Sequence, residues 1–529
     1  MLKKILHKLN NSIAGGAIII AVFSVLSRLL GLVRDRFLAS NFGAGDVLDV
    51  YYTAFRLPDL VFNTLVLGAL SVAFIPVFLE YWHKDKEEAW KIANSILNVL
   101  LVIILVIGGI FFIFTKELVT YIIAPGFDFA KQQMTIELTR IMLASIVFFT
   151  VSNIFSSILN SFKRFIAYGL APVMYNLGII FGIVCLVPKF GYQGLAYGVL
   201  VGSILHLLVQ VPAVLKTGFR WRIDFKIKHP AVLKMGILML PRTFALAIGQ
   251  VNKLVITIIG STLAAGTIAV YNLADNLQSV PTGIFAIPLA VACFPYLSES
   301  VAKNDQSNFG IHFSVTFRRI LFLIIPATVF VFLFRAQIVR LILGTGQFSW
   351  QDTHLTLATL GYFSVSLFAQ ALIPLLARSF YAFQDTKTPV YISLISVFLN
   401  IGLAIWLGKS FGAPGLALAF SISTIINFVL LLGFLKKKKI WLDLPKIVNS
   451  TFKIIILSVV TGIVIQGMKT ISGNWVDMQR FWGVLTQFVV ASIVGGGIYL
   501  GLALFIKMDE VAVFNVFVNK FKMIFRNGK

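Results

Sequence analysis

The chain is a succession of apolar runs of about 20 residues or more, parted by short polar breaks. A run of that length crosses the hydrocarbon core of a bilayer as one helix, and a helix satisfies all of its backbone there. Such runs lie near 13–38, 50–81, 89–114, 133–162, 168–188, 193–215, 231–259, 263–297, 310–334, 354–383, 389–407, 413–435, 447–471 and 481–506. The spacing predicts an all-α polytopic membrane protein with about 14 transmembrane helices. A share of 58% hydrophobic and only 12% charged residues excludes a soluble multi-domain chain. The net charge of +24 would suit a nucleic-acid partner. Its distribution excludes one, because the basic residues sit in short loops after spans two, four, six, twelve and fourteen. That is the positive-inside pattern, and it predicts a multi-pass membrane protein with both termini cytoplasmic.

Further details fit this reading. Cys185 and Cys293 both fall inside apolar spans, so neither a disulfide framework nor a thiol metal site is expected. Lys3, Lys4 and Lys8 precede the first span without a small-residue cleavage site, which predicts an uncleaved first helix. The tail 507–529 alternates apolar and basic residues and is expected to lie on anionic membrane lipids, or else to be a frayed polar end.

An internal repeat sets the organisation. Leu70–Pro76 matches Leu289–Pro295, Phe190–Ala196 matches Phe411–Ala417, and Ser161-Phe162 with Pro172-Val173 matches Ser379-Phe380 with Pro389-Val390. The repeat unit holds six spans, an even number, so its two copies run the same way through the membrane. This predicts two parallel six-helix bundles related by a pseudo-two-fold along the membrane normal, residues 1–222 and 223–440, a transporter architecture. Spans thirteen and fourteen, within 441–506, are two extra C-terminal helices. They are nearly free of charge between Ile454 and Gln466 and between Phe488 and Ile506, and are expected to form a lipid-tail groove, or else a packing buttress.

Charge inside the spans marks the site. An arginine at bilayer depth costs about 2.5–3.5 kcal/mol on insertion scales, so it usually faces a wet cavity or a partner. The first bundle carries Arg28, Arg34, Asp35, Arg56 and Asp59, with Arg140 near one end of span four. Arg28 and Asp35 are seven apart and share a helix face, and a bend at Gly31 would turn Arg34 inward as well. Span seven carries Arg242 and Lys253, about 20° from alignment on a helix, and span eight carries Asp275 and Asn276. Positive charge exceeds negative, which suits an anion. The alternative is packing glue, Arg28 with Asp35 and Arg56 with Asp59. No metal-ligand spacing, phosphate loop or nucleophile elbow is present, so the chain reads as a transporter, not an enzyme, with no cofactor and no metal.

Ser27–Asp35, Phe42–Gly45, Asp49 and Ala54–Pro58 together resemble the N-terminal signature of the MurJ (MviN) lipid II flippases. Ala124–Phe127 and Gln384–Pro389 also resemble that family, which lies in the multidrug/oligosaccharidyl-lipid/polysaccharide exporter superfamily. The resemblance implies movement of the undecaprenyl-pyrophosphate-linked peptidoglycan precursor from the inner to the outer leaflet by alternating access. It implies that Arg28 and Arg34 are cavity arginines, with Asp35 beside the second and Asp49 as the loop aspartate. Two departures stand out. Phe62 and Asn63 occupy positions where many members carry an arginine pair, and Asp275-Asn276 followed by Ser279 replaces an Asp-Arg followed by a glutamate. Arg242 and Lys253 are the expected substitutes. No Asp or Glu lies in spans seven or eleven, which argues against a sodium site there.

The expected substrate is therefore lipid II or a related polyprenyl-diphosphate glycolipid. It would be held by Arg28, Arg34, Asp35, Asp49, Arg56, Arg242, Lys253, Asp275 and Asn276 in a monomer that contacts cell-wall synthesis proteins. A flippase for another polyprenyl-linked glycan, such as a capsule or O-antigen unit, is the alternative. A drug or metabolite antiporter would instead show twelve spans and cavity carboxylates.

Overall fold

The computed structural model describes residues 13–438 and 441–512; the side chains of 13–18, 67–73, 240–242 and 244–245 lie outside the described set. The described chain is helical, without strands. The first helices are α1 (Ile13–Phe42), α2 (Asp46–Ala54), α3 (Gly68–Lys84), α4 (Lys86–Ile113), α5 (Phe129–Leu143), α6 (Ser145–Ser161), α7 (Phe165–Phe181), α8 (Gln193–Leu208) and α9 (Pro230–Ser261). They are followed by α10 (Thr267–Pro281), α11 (Ile287–Ala302), α12 (Gln306–Ile342), α13 (Trp350–Ser364), α14 (Leu367–Ala382), α15 (Lys387–Phe411), α16 (Ala413–Lys437), α17 (Leu444–Gly473) and α18 (Phe481–Phe505).

Among the described residues ten helices are long and apolar enough to cross a membrane, or eleven if α13 and α14, bent by 44°, form one span. The expected count of fourteen is not reached by that measure. Spans one, two and seven, which fall outside it, are nonetheless helical. Each of the three contains residues whose side chains lie outside the described set, so the count speaks for the described residues alone.

Two compact units result, Met1–Ala269 and Val270–Lys529. α9, the first span of the second repeat, packs against α3 and the turn before it, so the packing unit runs on past the repeat boundary at 222. The basic tail expected over 507–529 lies outside the described residues from 513 onward.

The repeat is written into the backbone as well as the sequence. A π-helical turn at Phe62–Leu67 recurs at Thr282–Ala286, at the same offset of about 220 residues. Lys163 and Gln384, both non-glycine residues with positive φ, follow α6 and α14 at that offset. Gly191 and Gly412 do the same ahead of α8 and α16. Each π turn lies at or shortly after a proline, Pro58 or Pro281, whose missing N–H loosens the helical ladder.

In the first unit, rings packed edge-on or tilted fill one end of the core: Phe78 and Trp90 lie 5.4 Å apart, Trp82 and Phe162 4.8 Å, and Trp90 and Phe219 5.6 Å. An extended segment after Phe219 has no ladder of its own, so α4 supplies partners. Asn94 accepts from the Arg222 N–H at 3.0 Å and donates to the Arg220 carbonyl at 3.0 Å. Asn98 donates to the carbonyls of Arg222 and Asp224 and accepts from Trp221 Nε1. Two asparagines in an otherwise greasy helix are thereby explained.

In the second unit, α12 carries the two extra helices. Tyr499 of α18 donates to the Phe322 carbonyl at 2.8 Å, and Lys469 of α17 donates to the Leu333 carbonyl at 2.7 Å. Gln337 donates to Gln487 at 2.8 Å. Beyond α18, Glu510 is buried against Arg318 of α12 and accepts from Ser450 at 2.8 Å. Removing one partner of such a pair leaves the other charge buried and alone, which costs about 3–5 kcal/mol. Glu510→Ala should therefore lower the thermal unfolding midpoint of the detergent-solubilised protein well below that of the wild type. An unchanged midpoint would show that the pair does not hold the C-terminal helices.

Candidate functional site

α1 is unbroken through Gly31, so no helix break brings the two arginines onto one face. Six residues place Arg34 about 120° round the helix from Arg28. The two side chains accordingly do different things. Arg28 lines a cavity of about 560 Å³ within the first unit, walled by α1, the first π turn, α6, α7 and α8. It is half-buried and has no protein partner among the described residues. Asp59 lines the same cavity.

Asp35 is paired with its neighbour Arg34, not with Arg28 across the helix turn: Arg34 Nη2 and Nε lie 2.8 and 3.0 Å from Asp35 Oδ1. Arg34 Nη1 also donates to Asn176 Oδ1 of α7 at 3.4 Å. The Asn176 amide donates in turn to Ser27 Oγ at 3.1 Å, and Ser27 lines the cavity. One asparagine thus ties the engaged arginine to the wall that holds the free one. Arg56 Nε donates to Thr257 Oγ1 of α9 at 2.6 Å. Lys253, one helical turn before Thr257, and Arg56 both act on Asp59 electrostatically. Within the first unit Arg28, Arg34, Arg56 and Lys253 face two carboxylates, Asp35 and Asp59, so the surplus is positive. Arg140 stands apart, stacked over the Phe112 ring at 5.3 Å. Arg242 lies on α9, but its side chain is outside the described residues.

Asp49 does not line this cavity. Its carboxylate is buried and both oxygens are taken: Oδ2 accepts from the Gly266 N–H and Oδ1 from the Ala269 N–H, each at 2.7 Å. These amides belong to the start of α10, where unpaired N–H groups and the helix dipole favour an anion. Asp275 and Asn276 lie in the second unit. Asp275 Oδ1 accepts from Gln278 at 2.8 Å, and Gln278 Oε1 accepts from Gln370 of α14 at 2.9 Å. No group of three or more His, Cys, Asp or Glu side chains among the described residues could hold a metal ion.

A family model described as lipid II flippase MurJ matches residues 38–486. The chain belongs to the MurJ family. A relative from Burkholderia cenocepacia, named lipid II flippase MurJ, is 30% identical over 80% of this chain and 84% of its own. A solved structure described as lipid II flippase MurJ in an inward closed conformation is 27% identical, with a TM-score of 0.78 over 93% of this chain and 99% of that one. A multidrug resistance MATE transporter in an inward-facing conformation shares the fold at a TM-score of 0.65 and 15% identity, covering 78% of this chain and 94% of its own.

Phe42–Gly45, Asp49 and Ala124–Phe127 gather at one end of the first unit. Gly126, in the Ala124–Phe127 signature, receives its place from contact: a Cβ there would lie 2.4 Å from the Ser261 carbonyl oxygen. Its N–H donates to Ser261 Oγ at 3.2 Å. Gly266 has φ +83°, and a Cβ on it would lie 1.9 Å from the oxygen of Ala44, within Phe42–Gly45. Lys131 reaches Asp46 at 2.6 Å beside them. The loops after α1, before α5 and after α9 are thereby clamped into one plug, with Asp49 as its polar centre.

Asn176 and Thr257, which position the two engaged arginines, escaped the sequence reading. Both are single uncharged polar residues in long apolar runs, and only their distant partners give them meaning. Asp49→Ala leaves two buried amides unpaired, each at about 1–3 kcal/mol. Hydrogen–deuterium exchange over residues 262–269 should rise by at least about tenfold, since each 1.4 kcal/mol is a factor of ten. Unchanged protection of that segment would show that Asp49 does not hold the plug.

Proposed function

We propose that this chain is a lipid II flippase. It moves the undecaprenyl-pyrophosphate-linked peptidoglycan precursor from the inner to the outer leaflet of a bacterial cytoplasmic membrane by alternating access. The observation that carries the reading is the family match over 38–486 together with a cavity whose unpaired cation is Arg28. The diphosphate is a compact dianion, and a guanidinium offers it a planar fork of donors that an ammonium lacks. Arg28 binds it directly. Arg34, held by Asp35 and Asn176, and Arg56, held by Thr257, set the field around it. Arg242 and Lys253 of α9 add the positive charge that the substitutions at Phe62, Asn63 and Asn276 remove.

The repeat supports a division into bundles 1–222 and 223–440, and the basic loops support cytoplasmic termini. In that orientation the plug around Asp49 closes the outer end, and outward opening breaks the two hydrogen bonds at Gly266 and Ala269. Acidic phospholipids are the further partners of the basic tail 507–529.

The polyprenyl tail is too apolar to enter a charged cavity: exposing its methylenes to water costs about 0.8 kcal/mol each. Helices α17 and α18, within 441–506, are read as its guide. A crevice of about 480 Å³ opens in the second unit between α12, the bend of α13–α14 and α17, lined by Val329, Phe332, Val365, Val459 and Ile463. Gly495 packs on Ile465, whereas Gly496 and Gly497 face open space, so one side of α18 stays clear.

In a strain depleted of its own lipid II flippase, Arg28→Ala should abolish complementation while the protein still reaches the membrane; Arg28→Lys should restore it only in part. Normal growth of Arg28→Ala would remove that residue from the diphosphate site. A photo-reactive group on the lipid tail should crosslink to Val459, Ile463 and their neighbours. Labels confined to other helices would return α17 and α18 to a purely structural role.

A further inference from the structure

The first-unit cavity has walls that suit more than a diphosphate. Its volume of about 560 Å³ lies inside the range of about 300–1,000 Å³ usual for small-ligand sites. A pocket for phosphate alone would be ringed by cations and amide N–H groups. This one holds a single arginine and a single aspartate; the rest is aromatic or uncharged and polar, apart from Ile20, Gly169 and Pro172. Phe62, Phe149, Tyr168 and Tyr175 offer ring faces, and Asn63 and Asn153 offer amides. Asn153 donates its Nδ2 to the Phe149 carbonyl at 3.1 Å and Asn63 donates its Nδ2 to the Asp59 carbonyl at 2.9 Å. Both amide oxygens are left without a protein partner among the described residues.

His206 of α8 also lines the cavity, and its ring is fixed from behind. Nδ1 lies 2.6 Å from Ser152 Oγ. That oxygen accepts from Gln210 Nε2 at 2.6 Å, and Gln210 Oε1 accepts from Ser156 at 2.9 Å. The ring edge packs on Phe149 at 5.4 Å between centroids. Only Nε2 is unused, and it is not among the buried atoms lacking a partner, so it is open to the cavity. A chain of three polar side chains serves to aim one nitrogen at an empty volume. Burying such a chain costs free energy unless each member is paired, and here each is.

We propose that this cavity is the carbohydrate subsite of the substrate and that His206, through Nε2, reads the sugar. A pyranose ring has an apolar C–H face and a rim of hydroxyls, the complement of aromatic faces beside amide oxygens. A sugar hydroxyl both donates and accepts, so it meets Nε2 in either ring tautomer. Arg28 sits at the junction, where the sugar joins the diphosphate. The proposal rests on the flippase reading above and adds a division of labour: arginine for the phosphates, histidine and asparagine for the glycan. Sites that hydrogen-bond a hydroxyl discriminate strongly against ligands lacking it, because their buried polar groups are then left unpaired.

The test uses the full-length protein in lipid nanodiscs and three ligands: lipid II, its peptide-free disaccharide form, and sugar-free undecaprenyl diphosphate. The wild type should bind the two glycosylated lipids more tightly than the bare diphosphate. His206→Ala should weaken both glycosylated lipids by about tenfold, the scale of one lost uncharged hydrogen bond, and leave the bare diphosphate unchanged. His206→Gln, which keeps a polar group at that depth, should recover part of the loss, and Arg28→Ala should weaken all three. Asn153→Ala should show the same selective loss, and it serves where His206→Ala does not fold. Equal weakening of all three ligands by His206→Ala, or of none, overturns the subsite. So does a loss confined to the peptide-bearing lipid. A wild type that binds all three alike removes the subsite and leaves the flippase reading standing; a wild type that binds none removes both.

Discussion

Hydrocarbon offers no partner to an N–H, a carbonyl or a charge, so each polar group at membrane depth must find its partner within the protein. The described helices meet this demand with long-range side-chain contacts at a few positions. Asn94 and Asn98 supply the missing ladder for the extended segment after Phe219. Asn176 joins Arg34 to Ser27 across α1 and α7. Glu510, Arg318 and Ser450 do the same for the C-terminal helices of the second unit. Once these demands are met, the unmet ones become informative. Arg28 and His206 Nε2 are polar groups that open on a cavity and lack protein partners among the described residues, and a ligand is the natural partner for both.

The same constraint separates two groups of residues. Arg28, Ser27 and Asp59 line the cavity. Gly126, Gly266, Ala44 and Asp49 form a plug whose glycines permit backbone contact that no side chain would allow. Asp49 is chemically a good anion for a helix start, where unpaired N–H groups and the helix dipole favour it. Its two short hydrogen bonds to the start of α10 make it a latch.

Repetition supplies the mechanics. The π turns at Phe62–Leu67 and Thr282–Ala286 occupy equivalent places in the two copies of the repeat. A π turn leaves the regular ladder locally mismatched and is a site where a helix can bend at little cost. The first of them is part of the cavity wall, through Phe62 and Asn63, so a bend there moves the lining directly.

The sequence by itself determined the all-α membrane class, the repeat, the surplus of positive charge and the identity of Arg28 as a cavity residue. Each of these depends on hydrophobic run length, on chain order or on the cost of a charge in lipid, and all three are local or additive properties of the chain. Pairing is neither. Helical phase put Asp35 on the face of Arg28, yet Arg34 took it, because adjacent side chains can meet when a third group, Asn176, orients one of them. The partners of Asp49 are backbone amides more than 200 residues away, and no side-chain pattern records them. The place of His206, Asn153 and Tyr175 around one cavity was likewise decided only by the tertiary structure: α6, α7 and α8 must pack before their inward edges share a space, and nothing in the order of the residues states which edges those are.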